Sequence, residues 1–288
     1  MSGEFDFIEN LRALATHPAA RNLEDDAAVL EFGNETLILT HDCLVEGVHF
    51  LPDQDPADIA WKLVATNLSD LAAKGAEPIG VLLGHQLGQN DSRFAEGLFE
   101  ILGKYGIALL GGDTVAANGP RSLGMTALGR ATHVPVPDRR GAREDDDIYV
   151  TGTLGMAMLG LEEGTNDGLN SIAYRRPVPL LDEGKALAPL ATAMMDVSDG
   201  LLLDAWRMAK ASHVTFQLES KTFPVADPAR LNECVRWGDD YQLLFTLPAG
   251  HGCPVPATKI GTVLGYDVAN LWVDREIVTP HDGIGYRH

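Results

Sequence analysis

Residues 193–204 read AMMDVSDGLLLD, three aspartates set into a run of Met, Val and Leu. The apolar residues call for burial, and a carboxylate buried with them is costly unless something positive compensates it. A fold for this chain must therefore bury the run and still bring Asp196, Asp199 and Asp204 to a cation or a cationic side chain.

The same pattern recurs along the chain. Asp25-Asp26 stand before AAVLEF, Asp42 follows TLILT, Asp113 follows IALLGG, and Asp239-Asp240 precede YQLLF. Read singly, these are ordinary cap or turn residues: a solvated turn at Asp25-Asp26, an N-cap at Asp199 for GLLLDAWRMAKAS, a turn at Asp113. Asp70 resists that reading. It sits inside a helical pattern of Ala and Leu, with Asn67 one turn before it and Lys74 one turn after, and such a polar stripe faces either solvent or a site. Hard divalent cations offer a common explanation, because Mg2+ takes oxygen ligands from one or two carboxylates and shares the rest with water and substrate phosphates. Glycines beside the acids, at Gly111-Gly112-Asp113 and Asp199-Gly200, let backbone approach a phosphate closely.

The net charge of −19 repels phosphate backbones, which argues against general nucleic-acid binding. Divalent cations would reconcile that charge with a polyphosphate ligand. No apolar run approaches the roughly 20 residues needed to span a bilayer, and the acidic start MSGEFDFIENLRAL lacks the pattern of a signal peptide. Cys43, Cys234 and Cys253 are far apart and form neither a disulfide framework nor a Cys-x-x-Cys pair. The expectation is a cytoplasmic protein with no membrane partner.

At 288 residues and 45% hydrophobic, the chain can fill one large or two medium domains. Asp55-Pro56 predicts a helix start, with Asp58 returning to it and Gly75 closing it; a second helix runs over 92–106, capped by Asn90 or Asp91. Strands are predicted at 36–40, 107–111, 123–131, 148–152, 214–219, 241–247, 258–263 and 271–274. The class is α/β, or mixed α+β. The Pro- and charge-rich stretch 132–147 reads as a linker, dividing the chain into domains at 1–135 and 136–288. There is no P-loop, no G-x-G-x-x-G after a strand and no G-x-S-x-G elbow. His41, Asp42 and His49 leave a transition-metal site open beside structural or substrate-contacting roles. The residues alone lead to an enzyme that handles phosphate with Mg2+.

Taken in order, EDDAAVL (24–30), THDCLVEGVHF (40–50), NLSDLAAKGAEPIG (67–80), LLGGDTV (109–115), RRGAREDDDIYVTGTLG (139–155), MMDVSDGLLLD (194–204) and WGDDYQLLFT (237–246) resemble the thiamine-monophosphate kinases, of the aminoimidazole ribonucleotide synthetase superfamily. The resemblance implies that superfamily's two-domain architecture, a homodimer, and transfer of the ATP γ-phosphoryl group to thiamine monophosphate with several Mg2+ ions. K+ is a further cation to test. It implies metal ligands at Asp26, Thr40, Asp42, Asp70, Asp113, Asp196 and Asp199, ATP contacts at Gly112, Asp113, Arg139 and Ser198, and acceptor contacts at His49, Asp239 and Tyr286. It implies no protein nucleophile, since an anionic phosphate oxygen attacks directly and positioning with charge neutralisation suffices.

The chain departs from the family pattern at Glu24, His41, Met156, Trp237 and Asp239. Glu24 stands where the family has Gly, bearing on the turn or adding a carboxylate. His41 replaces a small hydroxyl residue, and Met156 replaces an Asp. Trp237 and Asp239 replace Gly and Glu on the acceptor side, and Asp reaches a methylene less far. The alternatives are a related ATP-dependent enzyme with another acceptor and a homologue that binds Mg-ATP without turnover.

Overall fold

A computed structural model describes residues 4–286. After a helix α1 (Glu4–Arg12), the chain forms β1 (Ala28–Phe32), β2 (Glu35–Val45), α2 (Pro56–Ala73), β3 (Ala76–Gln86), α3 (Asp91–Tyr105), β4 (Ala108–Val115) and β5 (Ser122–Ala131). These strands make a five-stranded sheet in the order β1-β2-β5-β3-β4. Only β3 and β4 pair in parallel, with α3 as their crossover.

The second half contributes β6 (Asp147–Thr151), α4 (Met156–Glu163), α5 (Leu169–Arg175), α6 (Leu181–Leu187), β7 (Ala193–Val197), α7 (Leu201–Ala211), β8 (Val214–Leu218), α8 (Leu231–Cys234), β9 (Gln242–Leu247), β10 (Ala257–Gly265), β11 (Leu271–Val273) and β12 (Glu276–Ile277). Its seven-stranded sheet runs β12-β11-β8-β10-β6-β9-β7. The mixed class expected from the sequence is the one found.

Helix α2 is the hub. Asp55 caps it by accepting the Ala57 N–H at 3.0 Å, Pro56 occupies its first turn, and every residue from Ala57 to Ala73 is buried. A helix buried all round lies inside a protein, and its polar residues must find partners there. It packs against α3, β2, β3 and β5 from the first half of the chain and α6 and β7 from the second. Asp58 does not return to the helix start; it pairs instead with Arg175 and Arg176 at the end of α5.

The strand β7 explains the apolar look of AMMDV. Met194 joins the core shared with α2 and the first sheet, whereas Ala193, Met195 and Val197 join a second core under α7. A strand buried on both faces shows no alternation, so periodicity did not reveal it. The strands β1 and β3 were likewise not anticipated.

The stretch 132–147 is more structured than a linker. Its Asp138 carbonyl accepts the Met194 N–H at 3.3 Å, Ser212 Oγ donates to the Arg139 carbonyl at 2.6 Å, and Asp146 and Asp147 are buried. Among the described residues, no helix is long and apolar enough to cross a membrane.

Candidate active site

Carboxylates from separate elements converge beside α2. Asp26 precedes β1, Asp42 lies on β2, Asp70 on α2 and Asp196 on β7; oxygens of Asp26, Asp70 and Asp196 all lie within 4.8 Å of one another. Thr40 Oγ1 donates to Asp70, Ser69 Oγ donates to Asp196 Oδ2 at 2.6 Å, and Asn67 Oδ1 accepts the Asp42 N–H at 3.2 Å. The polar stripe of α2 therefore faces a site, not solvent: Asn67, Asp70 and Lys74 are all buried.

Cations meet this cluster from two sides. Lys74 Nζ lies 2.5 Å from Asp25 and 2.7 Å from Asp26, and Arg139 Nε donates to Asp26 Oδ1 at 2.9 Å. Asp25-Asp26 is thus no solvated turn. Burial pushes Asp25 up, but Lys74, Arg139 and Arg21 outweigh it and hold the carboxyl below its usual range. Asp42, Asp70 and Asp196 have no such cationic partner among the described residues. Burial, reinforced by Asp26 and Asp199, raises Asp42 to about 6. Burial and the neighbouring carboxylates also drive Asp70 and Asp196 well above the ordinary range. An all-oxygen donor set whose negative charges oppose one another fits a hard divalent cation.

The opening stretch supplies the other wall. Asp204 Oδ2 accepts the N–H groups of Ser198 at 3.1 Å and Asp199 at 3.0 Å, so the third aspartate fixes the turn that presents the first two. Asp199 is not the N-cap of α7; Gly200 holds that position, and Asp199 pairs with Arg207. Gly200 and Gly238, both at positive φ, let this turn interleave with the loop before β9. A Cβ on Gly238 would stand 2.3 Å from the Ser198 carbonyl, the same oxygen that accepts the Asp239 N–H at 2.7 Å.

Two cavities open on the acid cluster. The larger, about 610 Å³, runs from Asp26, Asp42, Asp70 and Asp196 past Arg139 to Trp206, Lys210 and Tyr266. The smaller, about 270 Å³, runs from the same Asp42, Asp70 and Asp196 to His49, Tyr174, Trp237, Asp239, Tyr241 and Tyr286. Ser198 and Asp199 also line both. Trp237 and Tyr286 are 43% and 42% exposed, and the Tyr286 N–H donates to the Asp199 carbonyl at 2.9 Å, which ties the C-terminal segment to the cluster.

Of the residues expected from the sequence, Asp26, Asp42, Asp70, Asp196, Asp199, Ser198 and Arg139 line the larger cavity, and His49, Asp239 and Tyr286 the smaller. Thr40 reaches the cluster through Asp70. Gly112 and Asp113 stand on the exposed edge strand β4 and line neither cavity. His41 occupies the strand face opposite Asp42 and bonds Thr126 Oγ1 at 2.9 Å, so it does not join Asp42 and His49 around a metal. Glu24 lines the larger cavity and pairs with Arg12 at 3.1 Å, while Met156 opens α4. Asp240 turns away to accept the Gly155 N–H at 2.8 Å.

Sequence reasoning did not find Lys62, Tyr174 or Tyr241. For Lys62 a signal was present, since it is another charged residue on the apolar helix that carries Asp70.

The family described as AIR synthase related protein, N-terminal domain, matches residues 24–131. Thiamine-monophosphate kinase of Escherichia coli (strain K12) is 37% identical over 303 residues, covering 92% of this chain and 90% of that protein. Its counterpart in Caulobacter vibrioides is 40% identical over 320 residues, covering 99% and 90%. The solved structure of AaThiL complexed with AMPPCP and TMP superposes with a TM-score of 0.89 at 29% identity, covering 99% of this chain and 97% of that one.

Proposed function

The chain belongs to the thiamine-monophosphate kinase family, and on that premise we propose that it transfers the γ-phosphoryl group of ATP to the phosphate of thiamine monophosphate, giving thiamine diphosphate and ADP. The observation that carries this reading is the wall of Asp42, Asp70 and Asp196 common to both cavities. Two anionic substrates, one in each cavity, would meet across acids that need cations between them. A relative that holds AMPPCP and TMP together supports the same pairing.

In this reading Asp26, Thr40, Asp42, Asp70, Asp196 and Asp199 hold Mg2+. When bound, the metal neutralises the charge of both phosphates and of the phosphoryl group in transit. Arg139 and Ser198 serve the nucleotide in the larger cavity. The smaller cavity takes the acceptor: Tyr174, Trp237, Tyr241 and Tyr286 line it with aromatic rings beside the Asp239 carboxylate, a composition suited to a cationic heterocycle. His49 is a further acceptor contact in that cavity. No side chain acts as nucleophile; the residues align the attacking phosphate oxygen for in-line displacement of ADP.

Gly112 and Asp113 enter this reading through the family resemblance. A homodimer, formed on the outer face of the first sheet, is also part of it, and the exposed Phe32, Leu82 and Leu110 with the open edge of β4 support that surface. The same reading makes the enzyme cytoplasmic, divides its domains at 135/136 and keeps K+ as a further cation to test.

The test is a product assay. Protein, Mg2+, ATP and thiamine monophosphate should give thiamine diphosphate by chromatography, and EDTA or omission of the acceptor should abolish it. Stabilisation by Mg-ATP without that product would overturn the acceptor assignment.

A further inference from the structure

Outside both cavities, a single buried ammonium reaches several walls of the smaller one. Lys62, on α2, has a side chain 1% exposed and pairs with Asp239. Its Nζ donates to the His49 carbonyl at 3.1 Å and lies 4.0 Å from the centre of the Tyr174 ring. The second Asp239 oxygen accepts the Tyr241 hydroxyl at 2.8 Å. His49, Tyr174, Asp239 and Tyr241 all line the smaller cavity, and Lys62 does not.

These contacts come from separate parts of the chain: the segment after β2, the helix α5 and the loop before β9. Packing alone would be served by an apolar side chain, since a buried ion pair must first overcome the desolvation of both charges. What a methionine could not do is hold a carboxylate. Asp239 sits at φ +61, a backbone conformation uncommon for a residue with a side chain, and both its oxygens are engaged. Its carboxylate is therefore presented to the cavity in one orientation.

We infer that Lys62 is a positioning residue for the acceptor, setting Asp239 and the tyrosines on either side of it without touching substrate itself. The inference rests on the smaller cavity being the acceptor cavity. Its signature is a split between the two substrates. Loss of the ammonium frees Asp239 and loosens the Tyr174 and His49 walls, while the nucleotide cavity keeps all its lining residues.

The experiment is steady-state kinetics on wild type, Lys62→Met and Lys62→Arg, varying each substrate with the other saturating, with melting temperatures alongside. Lys62→Met is expected to raise the acceptor KM by about ten- to a hundredfold, the scale of a small misplacement in a site, with the ATP KM within about twofold. Lys62→Arg is expected to recover part of the loss, because it keeps the charge but presents a planar fork in place of a compact ammonium. If Lys62→Met does not fold, Lys62→Gln carries the same expectation, keeping a donor for His49 while dropping the charge. An unchanged acceptor KM, equal rises in both KM values, or a lowered melting temperature with unaltered kinetics would overturn the inference and leave the proposed reaction standing. Absence of thiamine diphosphate from the wild type would overturn the reaction and the inference with it.

Discussion

Lys74 Nζ and Asp26 Oδ2 stand 2.7 Å apart, with side chains 0% and 1% exposed. Lys74 is the terminal residue of the α2 stripe, and Asp26 belongs to the cluster that Asp70 and Asp196 share. The pair ties the buried end of α2 to the candidate site. Asp25 and Asp26 raise the affinity of Lys74 for its proton against the opposing effect of burial, so the ammonium stays charged deep in the protein.

Lys74→Met should therefore destabilise the fold severely. It would leave Asp25 and Asp26 buried without their shared cation, a loss of about 3–5 kcal/mol for a broken buried pair. Denaturant unfolding measures it, and a loss below about 1 kcal/mol would mean that Arg21 and Arg139 suffice as partners.

Asp70→Asn should behave in the opposite way. Burial and neighbouring acids favour the protonated form of Asp70, which Asn resembles in shape and charge, so folding should be retained. Phosphoryl transfer should fall by at least about a hundredfold through loss of a metal carboxylate. Near-normal turnover would count against the metal reading of the cluster.

Asp239→Ala should weaken thiamine monophosphate binding more than ATP binding, by about 1–3 kcal/mol, since Lys62 and the Tyr241 hydroxyl would both lose their partner. Titration calorimetry with each ligand separately gives the two values. Equal losses would remove Asp239 from the acceptor side.

The pH dependence has a defined sign. Folded Asp42 keeps a proton up to about 6, whereas the unfolded chain gives it up near 3.8. Its contribution to stability is fully present below 3.8 and is lost as the pH rises toward about 6; Asp70 and Asp196 act in the same direction. The melting temperature without metal should therefore fall across this range. Mg2+ should restore it at pH 7 and release protons, visible as buffer-dependent binding heats. A metal-free melting temperature that rises from pH 4 to 6, with no proton release, would contradict the cluster's electrostatics.

The acids of the site were legible because carboxylates in apolar surroundings have few bland explanations once several recur at element ends. Asp70 announced itself by standing mid-helix. What joins distant parts of the chain was not legible. Lys62 and Asp239 are 177 positions apart, and no local pattern relates them. The strand β7 escaped because both its faces are buried. The separation of His41 from Asp42 could have been read from the two-residue period of a strand, and the turn-fixing role of Asp204 only from the fold that bends Ser198 and Asp199 back onto it.

The central claim is that two substrates exchange a phosphoryl group across one wall of carboxylates. The measurement that tests it most directly is a single-turnover reaction with ATP labelled in the γ-phosphate, thiamine monophosphate and Mg2+, quenched over time. The account predicts label in thiamine diphosphate at the same rate and in the same amount as ADP forms, and none without acceptor or with EDTA. Release of the label as inorganic phosphate, at a rate indifferent to thiamine monophosphate, would contradict it.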